Sequence, residues 1–209
     1  MSQGPTADFW NDRYRSGQTG WDRGHVSPQL AAWIDAGVIV PPQRIAIPGC
    51  GRGWEAIELA RLGFAVTAID YSSEAVAVLQ QRVAAAGQLA GSVAVVQADV
   101  LHWQPAAPFD AVYEQTCLCA LHPDLWVPYG AALARWLKPG GQLLALFMQK
   151  VEDGASDGFV SGPPYHCDIH AMRALFPAAL WEWPKPAYPR VPHPNGLYEL
   201  AVPLIRHPA

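Results

Sequence analysis

The tightest constraint on this chain is a run of alternating glycines, Gly49, Gly51 and Gly53. It is set between an apolar, strand-like run (Ile45-Ala46-Ile47, stopping at Pro48-Gly49) and a segment of helical periodicity from Trp54 to Leu62. Glycines at such a junction let the backbone approach a ligand closely, and the start of the following helix offers free N–H groups. Asp70 falls at the end of the next apolar run, Phe64 to Ile69, 21 residues after Gly49. An acid at that place accepts hydrogen bonds from both hydroxyls of a ribose. A second acid, Asp99, closes a third run, Val93 to Gln97. Strand, glycine turn, helix, strand and acid, in that order, describe an open sheet that meets a nucleoside at the carboxyl ends of its strands.

The same alternation continues downstream. Ser73 to Ala86 is alanine-rich and helical, with Ser72 or Ser73 as N-cap and Gly87 as stop. Phe109 to Tyr113 reads as a fourth strand and Pro128 to Leu137 as a helix ending before Pro139-Gly140-Gly141, with Gln142 to Met148 a fifth strand. Near-continuous apolar strands separated by helices imply βαβ units and a parallel sheet covered on both faces. Trp181-Glu182-Trp183 and Leu197 to Ile205 add a terminal antiparallel pair. The expectation is therefore an α/β, Rossmann-like fold with a mostly parallel seven-stranded sheet.

Three stretches fall outside the rhythm. Residues 1–40 hold an aromatic, helix-like segment and the loop GQTGWDRGHVSP. Residues 150–167 are rich in Gly, Ser, Asp and Pro and read as a long loop before a helix near 168–176. Residues 184–196 carry five prolines and read as extended. No repeat or linker divides the chain, so residues 1–209 read as one domain.

Composition narrows the partners. Lys and Arg number 14 against 18 Asp and Glu, a net charge of −4 with pI near 5.9. Nucleic-acid binding rests on a basic surface that neutralises phosphates, so it is not expected here. No apolar run reaches the ~18 residues of a membrane span. The N-terminal MSQGPTADFWNDR lacks the basic and apolar regions of a secretory signal. Cys50, Cys117, Cys119 and Cys167 then read as reduced thiols of a cytoplasmic protein, monomeric or weakly dimeric, with a small molecule as partner.

The glycine spacing discriminates between cofactors. A dinucleotide fingerprint G-x-G-x-x-G would place its third glycine at Trp54, whereas G-x-G-x-G resembles the loop of class I S-adenosylmethionine methyltransferases. In such folds the acid at Asp99 holds the adenine amino group, and the Leu137-Lys138-Pro139-Gly140-Gly141 turn is common. Phe9-Trp10, Tyr14, Thr19-Gly20-Trp21-Asp22, Pro48-Gly49-Cys50-Gly51, Phe109-Asp110, Cys119-Ala120-Leu121 and Gly162-Pro163-Pro164-Tyr165 occur in order along the chain. Together they resemble the thiopurine S-methyltransferase superfamily, closest to its thiol and halide methyltransferase branch, over about residues 9–180.

The resemblance implies an S-adenosylmethionine-dependent S-methyltransferase whose N-terminal aromatics cover the cofactor as a lid. Trp10, Tyr14 and Trp21 would line a sulfonium, which aromatic faces attract; Tyr14 stands where the family often has tryptophan. Gly49, Gly51, Gly53, Asp70, Tyr71, Asp99, Val100 and Gln115 complete the cofactor side. Tyr165 is the hydroxyl expected near the nucleophile, with Pro163 and Pro164 stiffening its loop. His25 or Arg23 in the lid would help to retain an anion.

Methyl transfer demands alignment and a dry cleft, and a thiol is nucleophilic enough to need no strong protein base. Neither a catalytic triad nor a metal site is expected; His166, Cys167 and His170 read as capping and core residues. The acceptor stays open among small thiols, thiopurines, selenium or tellurium compounds, thiocyanate and halides. A protein that binds S-adenosylmethionine without catalysis is the alternative from another class. The N/D-P-P-Y/F motif of amino-methylating nucleic-acid enzymes follows the fourth strand, where this chain has Glu114-Gln115-Thr116-Cys117.

Overall fold

The structure, a computed structural model, describes residues 4–150 and 161–208. Five parallel strands build its centre: β1 (Arg44–Pro48), β2 (Ala65–Asp70), β3 (Ser92–Gln97), β4 (Phe109–Gln115) and β5 (Leu137–Gln149). Three more strands, β6 (Trp181–Glu182), β7 (Arg190–Pro192) and β8 (Tyr198–Arg206), complete one eight-stranded sheet. Its order is β3-β2-β1-β4-β5-β8-β6, with β7 also on β8, and β8 runs antiparallel to β5, β6 and β7.

The expected seven strands are all present, and the eighth is β7, inside the proline-rich stretch read as merely extended. There the Ala201 N–H donates to Pro189 O at 3.0 Å, and a turn closed by the His193 N–H on Leu197 O at 2.9 Å joins β7 to β8. The strand β5 also begins earlier than expected, because Leu137 pairs with Phe109 before the register shifts toward Gln142 opposite Ala111. Of the expected 150–167 loop, residues 151–160 lie outside the described residues.

The helices are α1 (Ala7–Arg15), α2 (Pro28–Asp35), α3 (Trp54–Arg61), α4 (Ser73–Ala85), α5 (Trp126–Trp136) and α6 (Ile169–Leu175). Strand alternation sends Ile45, Ile47, Ala111, Tyr113, Leu144 and Leu146 to one face, packed with Leu30, Trp33, Ile57 and Leu79 of α2, α3 and α4. Ala46, Val112, Leu143, Ala145, Phe147 and Val202 point to the other face, against Tyr129, Leu133 and Trp136 of α5, Met172 of α6 and Phe176 just after it. Trp33, Trp136 and Trp181 are buried core residues, which accounts for part of the tryptophan excess. The strand order reverses between β1 and β4, so the carboxyl ends of these strands open a crevice. Among the described residues no helix is long and apolar enough to cross a membrane.

Candidate active site

Asp70 ends β2 with its carboxylate turned onto the glycine loop. Oδ2 accepts from the Gly51 N–H and Oδ1 from the Ser72 N–H, each at 2.8 Å. Burial raises this carboxyl, and the backbone bonds from Ser72 and Gly51 pull it partly back. With the Tyr71 N–H as a third backbone donor, the carboxylate still offers more acceptor sites than its donors fill. Gly51 adopts φ +53°, and a Cβ there would stand 3.0 Å from Tyr14 Oη, so only glycine leaves room for both loop and lid. Asp99, two residues past β3, accepts from the Leu101 N–H at 2.9 Å and lies 2.9 Å from His102 Nδ1.

The N-terminal segment closes over this floor. Trp21 meets Trp10 edge-on at 5.4 Å between ring centroids and Tyr14 at 5.9 Å, and Phe9 backs Trp10 at 5.0 Å. Such edge-to-face pairs hold the rings at fixed angles. Burial, and next the charge of Asp70, raise the Tyr14 phenol, which therefore stays protonated. Helix α1 is fastened to the start of α4 by buried Asn11, whose Oδ1 accepts from Ser72 Oγ at 2.7 Å, Ser73 Oγ at 3.3 Å and the Glu74 N–H at 3.4 Å.

The loop after α1 is fastened through adjacent residues. Asp22 Oδ1 accepts from Trp54 Nε1 and from the Gly24 N–H, both at 2.9 Å, while Oδ2 lies 2.8 Å from Arg52 Nε. Arg23 Nη2 pairs with Glu199 Oε2 of β8 at 2.8 Å, and Nη1 donates to Pro192 O at 2.6 Å. Gln115 Nε2 donates to the same Glu199 oxygen at 2.9 Å, and the Tyr113 hydroxyl donates to Gln115 Oε1 at 2.8 Å. Arg23 is thus committed to Glu199 and is not the free anion clamp expected. His25 Nδ1 lies 2.8 Å from Val26 O.

Under the lid lies a cavity of about 580 Å³, walled by Trp10, Tyr14, Trp21, Gly49, Asp70, Tyr71, Asp99 and Val100 at one end. Its other end is made by Leu121, Leu125, Met148, Pro163, Pro164, His193 and Asn195. A smaller pocket of about 70 Å³ sits beside the glycine loop and is lined by Gly51 and Gln115, with Asp22, Arg23, Arg52 and Glu55. Trp21, Tyr14 and Gly49 border both spaces. Thr116, at the end of β4, also borders both and holds φ 64°, a strained conformation for a β-branched residue.

Two expected site residues lie elsewhere. Gly53 lines neither space; it begins α3 at φ +67°, and a Cβ there would stand 2.2 Å from Leu79 Cδ1, so its role is packing. Tyr165 lines neither space as well: its N–H donates to Cys119 O at 2.7 Å and its ring packs edge-on to His122 at 5.5 Å, behind the Pro163-Pro164 wall. Asn11, His193, Asn195 and Glu199 escaped the sequence reading. For the hairpin carrying His193 and Asn195, the Asn195-Gly196 dipeptide was the available signal. Among the described residues no group of His, Cys, Asp and Glu is arranged to hold a metal ion.

The residues present suit S-adenosylmethionine. A buried carboxylate held only by neutral backbone donors favours hydroxyls and positive charge, three aromatic rings stand above it, and Gly51 keeps the loop close. Asp70 and Asp99 would hold the adenosine, and Trp10, Tyr14 and Trp21 the sulfonium.

Comparison with known proteins agrees. The thiopurine S-methyltransferase family model matches residues 5–187. Probable thiol methyltransferase 2 of Arabidopsis thaliana is 28% identical over 160 residues, covering 77% of this chain and 67% of that protein. Thiocyanate methyltransferase 1 of the same plant is 28% identical over 166 residues, covering 79% and 70%. In fold, the chain is similar to the Burkholderia thailandensis 1,6-didemethyltoxoflavin-N1-methyltransferase structure, with TM-score 0.73 and 22% identity over 97% of this chain and 87% of that one. The match over residues 5–187, most of the chain, means that this chain belongs to the thiopurine S-methyltransferase family of S-adenosylmethionine-dependent methyltransferases.

Proposed function

We propose that this protein transfers the methyl group of S-adenosylmethionine to the sulfur of a small thiol or a similar soft nucleophile. The observation that carries the reading is the single cavity running from Asp70, beneath the Trp10-Tyr14-Trp21 lid, to the apolar end at Met148, Pro163 and Pro164. The names of the plant relatives, thiol and thiocyanate methyltransferases, point to the same acceptor class.

When bound, the cofactor supplies an electrophilic methyl on a cationic sulfur. The chain's own residues hold, orient and dry the site. Asp70 would receive the ribose hydroxyls on its remaining acceptor sites. Asp99, with Tyr71 and Val100 beside it, lines the adenine end. The small pocket, with arginines and carboxylates around Gly51 and Gln115, suits the amino acid head of the cofactor, which carries both charges. The lid rings would cover the sulfonium and exclude water, and the proline wall would confine a nucleophile beside it, where proximity supplies much of the acceleration. Tyr165 acts as a positioning residue that backs this wall.

We place the reaction in the cytoplasm, in a domain spanning residues 1–209, with no nucleic-acid partner and as a monomer or weak dimer. The acidic balance and four free, buried cysteines support a reducing compartment and a small acceptor. The test begins with calorimetry of S-adenosylhomocysteine, followed by labelled S-adenosylmethionine with a panel of thiols, thiocyanate and iodide. Binding and a methylated acceptor are expected. No measurable binding overturns the reading, and binding without turnover on any acceptor assigns a non-catalytic role.

A further inference from the structure

Two arginines of α1 lie close together and are used differently. Arg15 is paired with Asp12 and with Glu74, each at 2.9 Å. Arg13 is partly buried and borders the large cavity, yet it has no ion pair among the described residues. It is the one lysine or arginine among the described residues that line this space. Its guanidinium carbon stands 4.9 Å from the centroid of the Phe9 ring, one turn back, and Phe9 lines the same space. A guanidinium resting on a ring is held there by cation–π attraction and keeps its N–H fork for another partner.

The turn of the helix decides which end of the cavity receives this charge. At about 100° per residue, Asn11 and Arg15 share the side of α1 that meets α4, where they reach Ser72 and Glu74. Trp10 and Tyr14 come next around the helix. Phe9 and Arg13 lie on the side turned away from α4. Because α4 begins just past Asp70, that side is the one away from the ribose position and toward the acceptor.

We propose that Arg13 is a specificity-determining residue that binds a carboxylate of the acceptor, so that the preferred acceptor is a small thiol with a negative charge away from its sulfur. The inference rests on the S-methyltransferase reading above and narrows its acceptor. An unpaired guanidinium near a sulfonium repels it, and an anionic acceptor turns that cost into attraction. The planar fork suits a carboxylate through two parallel N–H···O bonds. Phe9 and Trp10 stand in series between Arg13 and Trp21, with centroids 5.0 Å and then 5.4 Å apart, so the held charge sits apart from the reacting atom. Iodide and thiocyanate carry their charge on the reacting ion itself and fit this spacing less well. Arg13 thereby supplies the anion contact that Arg23, committed to Glu199, does not.

The experiment uses the full chain with S-adenosylmethionine and two thiols of nearly equal shape, 3-mercaptopropionate and 1-propanethiol, with iodide as a third acceptor. The kcat/KM for 3-mercaptopropionate is expected to exceed that for 1-propanethiol about tenfold, the low end for hydrogen bonds to a charged group, and the excess should shrink as salt is added. Arg13→Gln is expected to erase the excess, chiefly through KM, and Arg13→Lys, which keeps the charge and loses the fork, to restore part of it. Equal kcat/KM for the two thiols in the wild type overturns the assignment, as does an unaltered ratio in an Arg13→Gln variant that binds S-adenosylhomocysteine. An iodide rate that falls more than the 3-mercaptopropionate rate in that variant also overturns it, because the charge would then belong on the reacting atom. Should Arg13→Gln fail to fold, the wild-type ratio decides, and a ratio indifferent to salt overturns the assignment. If the wild type methylates no probe although it binds S-adenosylhomocysteine, the S-methyltransferase reading fails separately. Calorimetry of the two thiols on the S-adenosylhomocysteine complex then decides for Arg13, with tighter binding of 3-mercaptopropionate expected and equal binding overturning it.

Discussion

The two ends of the cavity are built on different physics. At the cofactor end, polar groups are interlocked: Asp70 holds two backbone N–H groups, Asn11 gathers donors from three consecutive residues, and Asp22 joins Trp54, Gly24 and Arg52. At the acceptor end, Leu121, Leu125, Met148, Pro163 and Pro164 provide shape and dryness. A donor with many polar features is recognised by many fixed partners, and a small soft acceptor offers little to recognise besides size and charge. On the proposed function, affinity would belong to one end and selectivity to the other. Arg23, which runs from the lid loop to β8, ties them together.

The largest test breaks that tie. Arg23→Met strands Glu199, whose side chain is 0% exposed, and should reduce stability by about 3–5 kcal/mol in urea unfolding. Adding Glu199→Gln should recover most of it; if the single variant is as stable as the wild type, the two ends are independent. Next, Asp70→Ala should weaken S-adenosylhomocysteine binding by roughly a hundredfold, since hydrogen bonds to a charged group are each worth ~1.5–3 kcal/mol. Pro163→Gly, at the opposite end, should change that affinity by less than about threefold. Equal losses in calorimetry would erase the division.

A third test probes the scaffold between the ends. Burial pushes Glu114 up to about 8 and Glu199 up to about 7. A carboxyl raised by folding contributes fully below its unfolded value near 4.5, and the contribution is lost as pH rises through the folded value. The wild-type Tm should accordingly fall between pH 5 and pH 8. Glu114→Gln keeps an oxygen for the Leu118 N–H and should flatten the fall, at about 2–4 °C per kcal/mol. An unchanged slope in scanning calorimetry would show that Glu114 titrates normally. Trp21→Ala should raise the Kd for S-adenosylmethionine about tenfold more than that for S-adenosylhomocysteine, because only the former is a cation. Parallel losses would mean that the rings merely pack. The smallest effect is expected from Tyr165→Phe, less than about threefold on turnover, since the ring lies behind the proline wall. A large drop in kcat would return its hydroxyl to the chemistry.

The legible parts of the sequence were those whose signals are local. Gly49, Gly51 and Asp70 announce themselves by spacing, and hydrophobic periodicity placed the parallel strands. Trp10, Tyr14 and Trp21 were expected at the site because their positions match the aromatics of the thiopurine S-methyltransferase family. What stayed hidden depends on long-range pairing. Arg23 and Glu199 are 176 residues apart, and nothing near either one names its partner. The prolines around Val191 masked a short strand, so His193 went unnoticed although Asn195-Gly196 marked the turn. For Tyr165 the residue was noticed and its direction was not, because His122 and Gly162 decide which way the ring packs.

The Asn11 clasp sets a clock. A single amide oxygen receives donors from Ser72, Ser73 and Glu74, so α1 departs only when all three let go together. A thioether cofactor bound beneath the lid would leave no sooner than that. Residence time would then track how often one helix detaches, and hydrogen exchange along Ala7–Arg15, with no substrate present, is expected to run at that cadence.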